Sequence, residues 1–134
     1  MNNKNLLMIE NFSYCLLGAS GCGKTTLISC ILGMKKLDFD VIKVLKEKVS
    51  HKPLNCINSI AYMPQETALP TAMSIRETLN FFANISQMDM NSFKERYEML
   101  MKMLELESEN ALIEHLSGGE KRRVSFAVAF IHNP

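Results

Sequence analysis

The stretch from Gly18 to Thr25, GASGCGKT, satisfies the pattern G-x-x-x-x-G-K-[ST] and constrains the fold more than any other part of the sequence. A short apolar run, Tyr14 to Leu17, precedes it, and apolar residues at helical spacing follow from Lys24 onward. Glycines allow the backbone to curl until successive N–H groups face one anion, and a helix N-terminus adds its positive dipole end. The sequence therefore predicts a strand, a phosphate-binding loop and a helix, in that order.

Each part of this loop has an expected role in holding a nucleotide. Lys24 is expected to reach the terminal phosphates, and the Thr25 hydroxyl is expected to bind Mg²⁺. Cys22 occupies an unspecified position, and we interpret it as a small space-filling residue. The predicted nucleotide-binding residues are Gly18, Ala19, Ser20, Gly21, Cys22, Gly23, Lys24, Thr25 and Thr26. Because kinases, GTPases, helicases and transport ATPases all share such a loop, a second motif has to choose among them.

Composition excludes several classes of protein. The 134 residues suffice for one domain, and 47% hydrophobic with 22% charged residues is typical of a soluble globular chain. A net charge of +1 with interleaved acids and bases predicts no nucleic-acid partner. The four cysteines form no C-x-x-C pair, which favours a reducing, intracellular compartment. No run approaches the roughly 18 apolar residues of a transmembrane helix, so any membrane span is expected in another chain or a missing segment.

Hydrophobic spacing and capping residues predict the remaining elements. They are a helix from Lys24 stopped by Gly33, strands at Val41–Leu45 and Ile57–Met63, helices opened by Ser74 with Glu77 and by Ser92 with Glu95, and a helix from about Gly119 to Asn133. The three basic residues at 121–123 are predicted to lie on a solvated face of the last helix.

The segment Leu116 to Glu120, LSGGE, is the second motif. A serine and two glycines at the start of an apolar-faced helix form another anion site, so one chain has two helix N-termini suited to phosphate. Nothing requires both to touch the same nucleotide from the same chain. Taken alone, S-G-G-E is also a common helix cap, and both interpretations stay open at this point.

The order of the motifs resembles the nucleotide-binding domain of ABC transporters, in which a P-loop is followed by a strand-end glutamine and then by L-S-G-G-Q. Here Gln65 stands in AYMPQE, and Glu120 replaces the final glutamine, as in the G subfamily. The strings GASGCGKTTLISCILG, SIRETLNFFANI and LSGGEKRRVSFAVAFIHNP look most like the eukaryotic G and H subfamilies, which export lipids, sterols and other hydrophobic compounds. The resemblance implies an α/β fold, with a partial P-loop NTPase core over about 1–66 and an ABC-type helical subdomain over about 67–134.

The resemblance also implies a site, cofactors and partners. ATP and Mg²⁺ are the expected cofactors, with Thr25 and Gln65 as metal contacts and Gln65 also contacting the attacking water. Ser117, Gly118 and Gly119 are expected to meet ATP held by a partner chain. The partners would be a second nucleotide-binding domain, in a homo- or heterodimer, and a transmembrane domain, with this chain at the cytoplasmic face of the membrane.

The family's catalytic acids are not found among these 134 residues. In the family, the strand after the signature ends in Asp-Glu, and a histidine switch follows, whereas His51, His115 and His132 match no switch position. The chain is therefore expected to be the front part of an ATPase domain, whether a fragment, a partial gene product or a decayed copy, and to be inactive alone. Two alternatives are a soluble ABC-type ATPase of translation or DNA repair, and a remnant that at most binds nucleotide.

Overall fold

The computed structural model describes residues 15–36, 42–44, 47–48 and 59–134. The chain divides into two compact units, Met1–Ile57 and Asn58–Pro134. The division expected near residue 66 rests on the family's motifs and stays a prediction. Among the described residues, no helix combines the length and apolar character needed to cross a bilayer.

The first unit contains the helix predicted after the glycine-rich loop. Helix α1 spans Lys24–Ile31, and Gly23 is its N-cap. The predicted stop is confirmed, because Gly33 has φ 73° and its amide donates to the Cys30 carbonyl at 3.1 Å. A positive φ is readily adopted by glycine, so the sequence ends the helix at this point.

The strands differ from those predicted. Strand β1, Lys43–Val44, pairs antiparallel with β2, Glu47–Lys48, while Val41 and Leu45 of the predicted strand lie outside the described residues. β2 was missed because its two residues lie in a lysine-rich connection with no apolar alternation. The strand predicted at Ile57–Met63 is wrong over its described part, 59–63, since no described residue pairs with that backbone.

The described part of the second unit contains three α-helices and, before the last of them, a short 3₁₀ helix. Helix α2 spans Ile75–Ile85, α3 spans Met90–Met103, the 3₁₀ helix spans Ile113–His115 and α4 spans Gly118–Phe130. Their facing sides bury one apolar cluster, and burial of this kind is the main stabilising term of a small helical unit. Its members are Ile75, Leu79, Ala83, Leu100, Leu106, Ile113, Val124, Ala127 and Ile131.

Capping decides where these helices begin. The capping box of Ser74 with Glu77 is confirmed at the start of α2. The box predicted from Ser92 with Glu95 is wrong, because Asp89 is the N-cap of α3 and accepts from the Asn91 and Ser92 amides at 3.0 Å. Both residues are good caps, and the carboxylate takes the position because its two oxygens serve both amides and the Ser92 hydroxyl.

The segment before α4 is held against the first turn of α2. The Ile75 amide donates to the Ala111 carbonyl at 3.1 Å, and the Arg76 amide donates to the Glu109 carbonyl at 3.0 Å. The Ile113 amide donates in return to the Met73 carbonyl at 2.9 Å. These bonds satisfy amides that a helix start leaves without intrahelical acceptors, and they fix the chain that leads into the signature.

Candidate nucleotide site

The glycine-rich loop has the backbone geometry that its sequence predicts. Gly21 has φ 81° and Gly23 has φ 93°, a left-handed region that a β-carbon disfavours. A side chain at Gly18 would place its β-carbon 2.5 Å from the Cys22 sulfur. Backbone conformation therefore favours glycine at 21 and 23, whereas a side chain at 18 would require the exposed Cys22 side chain to move.

The Lys24 side chain turns back across the loop. Its Nζ donates to the carbonyls of Gly18 and Ala19, both at 2.7 Å, and lies 3.5 Å from the Cys22 sulfur. The ammonium group is thus held by loop oxygens at the N-terminus of α1. A phosphate oxygen would be a stronger, charge-assisted acceptor for the same group.

The first turn of α1 supplies the other groups that a phosphate needs. Thr25 and Thr26 are exposed, and α1 has no acidic residue in its first turn. The first amides of a helix lack intrahelical acceptors and are available to an anion. The first turn of α1 therefore offers a lysine, free amide donors and a threonine hydroxyl, which are the groups that a nucleotide phosphate and its metal use.

Gln65 lies in the second unit, in a segment without regular structure, and it is exposed. Arg122 of α4 donates from Nη1 to the Pro64 carbonyl at 3.2 Å and to the Gln65 carbonyl at 2.7 Å. Arg122 is exposed, as predicted for a solvated face, and it also bonds this backbone. Sequence reasoning missed this contact because the partners are 57 positions apart and no local pattern links them.

Ser117 is the N-cap of α4, and the helix begins at Gly118, one residue from the predicted start near Gly119. Its hydroxyl donates to Glu120 Oε2, its amide donates to the same oxygen at 2.8 Å, and the Glu120 amide donates to the hydroxyl at 3.3 Å. The hydrogen bond from the Ser117 side chain is the main reason that the pKa of Glu120 lies below its ordinary value. The carboxylate therefore stays charged at the helix N-terminus, where the dipole favours it.

Gly118 and Gly119 occupy the first two positions of α4 and are exposed. A β-carbon at either would meet no atom of the described part of the chain within 4 Å. Each glycine within a helix costs about 0.5–1 kcal/mol relative to alanine. The described neighbours therefore give no packing reason for the pair, whereas close approach by an outside group would.

The predicted site residues thus fall into two groups. The glycine-rich loop with Lys24 and Thr25 forms one cradle in the first unit. Gln65 and the signature serine both lie in the second unit, where Ser117 caps α4 and Arg122 of the same helix bonds the Gln65 backbone.

Comparison with known proteins identifies the family. Residues 1–134 match the family model described as ABC transporter. The chain belongs to the ABC transporter family. This confirms the resemblance inferred from the order of the P-loop, Gln65 and LSGGE.

Two curated relatives are G family members from Dictyostelium discoideum. ABC transporter G family member 23 is 40% identical over 120 residues, covering 89% of this chain and 17% of that protein. ABC transporter G family member 20 is 38% identical over 136 residues, covering 100% of this chain and 18% of that protein. These relatives confirm the G-subfamily resemblance, and the chain spans less than a fifth of their length.

A solved structure supports the fold. The structure described as an ATP binding subunit of an ABC transporter aligns with a TM-score of 0.77 at 24% identity, covering 88% of this chain and 50% of that one. The predicted class, α/β with a P-loop NTPase core and an ABC-type helical subdomain, is confirmed. The family as a whole binds nucleotide in this domain.

Proposed function

We propose that this chain binds Mg²⁺-ATP through residues 18–26. The observation that carries the proposal is the Lys24 ammonium, held 2.7 Å from two loop carbonyls at the N-terminus of α1. A phosphate arriving there finds a cation and a set of amides already oriented, so little reorganisation opposes binding. Thr25, Thr26 and the intervening loop residues complete the contact.

Mg²⁺ would be held by Thr25 and Gln65, with the nucleotide supplying further oxygens. Hydroxyl and amide oxygens are ligands that Mg²⁺ accepts, and it keeps several waters when bound to nucleotides. Gln65 would also contact the attacking water. The exposure of both side chains supports this assignment, which follows the motif order of the family.

The signature would act on a partner chain. Ser117, Gly118 and Gly119 would meet the γ-phosphate of ATP bound to a second nucleotide-binding domain, in a homo- or heterodimer. Two exposed glycines that no described neighbour requires support an approach from outside the chain.

The wider role that we infer is to power export of a hydrophobic or lipid-like substrate, at the cytoplasmic face of a membrane, together with a transmembrane domain. The transporter names of the two relatives favour this over a soluble ATPase. The 134 residues alone would bind nucleotide without hydrolysing it, because the family's Asp-Glu pair is not among them.

Binding of a fluorescent ATP analogue, titrated with and without Mg²⁺, tests the proposal. Lys24→Ala removes a charge-assisted contact worth about 1.5–3 kcal/mol, so affinity should fall roughly ten- to a hundredfold. Lys35→Ala is the matched control, since it removes an exposed lysine outside the loop. Equal binding by the parent and Lys24→Ala would refute the assigned site.

A further inference from the structure

The Pro64–Gln65 segment is tied to α4 by one side chain. Arg122 Nη1 donates to both the Pro64 and the Gln65 carbonyl, at 3.2 Å and 2.7 Å. No other described residue hydrogen-bonds these two carbonyls. Because residues 60–64 form no helix or strand, this contact supplies order that secondary structure does not.

The same helix carries the signature at its first turn. The Lys121 amide donates to the Ser117 carbonyl at 2.9 Å, so the cap and the following turn form one rigid unit. Arg122 projects from that turn onto the Gln65 backbone. The position of the Gln65 backbone is therefore set by the helix whose N-terminus bears Ser117.

The adjacent basic side chains have other partners. Lys121 Nζ donates to the Glu114 carbonyl at 3.1 Å, and Arg123 lies 4.0 Å from Glu105. Of the three, Arg122 is the one that contacts the Gln65 segment. The neighbouring lysine thus provides a control that removes a similar charge from the same turn.

We propose that Arg122 is a positioning residue that holds the Gln65 segment on the signature helix, so that the Gln65 side chain can engage the metal of bound nucleotide. This rests on the proposed role of Gln65. Loss of Arg122 should weaken the Mg²⁺-dependent part of ATP binding and leave the part supplied by the P-loop unchanged.

Two measurements on the 134-residue chain test this inference. Limited proteolysis within 60–69 reports the clamp and needs no nucleotide, because a segment that is held in place is cleaved more slowly than a released one. Arg122→Met should speed cleavage within this segment about threefold to tenfold, as expected for losing exposed hydrogen bonds to a charged group. Arg122→Lys keeps a cationic donor, so its cleavage rate within 60–69 should be closer to that of the parent. Lys121→Met should have the same rate as the parent.

ATP titration with and without Mg²⁺ reports the functional consequence. In Arg122→Met, the increase in ATP affinity that Mg²⁺ provides should be about threefold to tenfold smaller than in the parent. ATP affinity without Mg²⁺ should be unchanged. In a Gln65→Ala background the same change should have no further effect, because Arg122 acts through that side chain.

The outcomes separate the two claims. Unchanged cleavage within 60–69 in Arg122→Met overturns the clamp, and equal loss of Mg²⁺-free and Mg²⁺-dependent affinity overturns the positioning role. Failure of the proposed function gives a different result, in which Lys24→Ala binds ATP like the parent. The proteolysis measurement still decides whether the clamp exists in that case.

Discussion

At the scale of single residues, Thr78 lies fully buried on α2 among the apolar side chains of the second unit. Its hydroxyl has no hydrogen-bond partner in the described part of the chain. A buried hydroxyl without a partner loses its hydration and gains nothing in return. The helix tolerates it because the rest of the residue fills core volume.

We expect Thr78→Val to stabilise the chain by about 1 kcal/mol, since the methyl group replaces an unsatisfied hydroxyl of similar size. The midpoint of urea unfolding measures the change. Thr71→Val, at an exposed position, should shift stability by less than about 0.5 kcal/mol. A loss of stability in Thr78→Val would show that the hydroxyl has a partner after all.

Tyr97 shows how neighbouring residues set one another's titration. Its hydroxyl donates to Glu109 Oε2 at 2.7 Å, and Arg76 bonds the other carboxylate oxygen at 2.9 Å. Burial, then the Glu109 hydrogen bond, raises the pKa of Tyr97 well above its ordinary value. The same hydrogen bond lowers the pKa of Glu109, so the pair stays as phenol and carboxylate at neutral pH.

At the scale of elements, two helices begin with the same device. Ser74 with Glu77 caps α2, and Ser117 with Glu120 caps α4. The amide of Ser74 contributes most to lowering the pKa of Glu77, and its hydroxyl comes next. In the folded state, each serine cap therefore stabilises the ionised form of its glutamate more than the protonated form.

The sign of the resulting pH dependence follows from linkage. Because the folded-state pKa of Glu77 is lowered from 4.5, its contribution is complete above that value and is lost as pH falls through the folded pKa. We therefore expect the urea concentration at the unfolding midpoint to decrease as the pH drops below about 4.5. Glu77→Gln keeps an acceptor for the cap but does not titrate, so its acid decline should be shallower. Identical pH profiles for the parent and the variant would contradict this linkage.

At the scale of the whole molecule, the proposed site is shared between chains. When these residues are joined to the remainder of a full-length nucleotide-binding domain, ATP should promote pairing of such domains through Ser117. Sedimentation with and without ATP measures the pairing, and Ser117→Arg should block it by filling the approach to Gly118 and Gly119. Lys121→Arg, which keeps the charge on the same turn, should pair like the parent. ATP-dependent pairing that survives Ser117→Arg would remove the signature from the interface.

ATP hydrolysis is a second property of the whole molecule. We expect the isolated 134 residues to release no phosphate above background, although a fluorescent ATP analogue binds. Lys24, Thr25 and Gln65 would position a nucleotide under the proposed function, but the loss of a general acid or base typically costs about 10²–10⁴-fold in rate. Adding a continuation with an apolar strand, Asp-Glu and a later histidine should restore turnover. Hydrolysis by the 134 residues that Lys24→Ala abolishes would contradict this expectation.

Local patterns were enough to predict the glycine-rich loop, α1 with its stop at Gly33, and the Ser74 cap, because backbone conformation and hydrogen bonds within a few residues decide them. The order of three short motifs was likewise enough for the family. The Arg122 contact with Gln65 depended on tertiary structure, because two segments far apart in sequence have to meet before any bond can form. Strand pairing is equally non-local, so the apolar run ending at Met63 did not by itself make a strand.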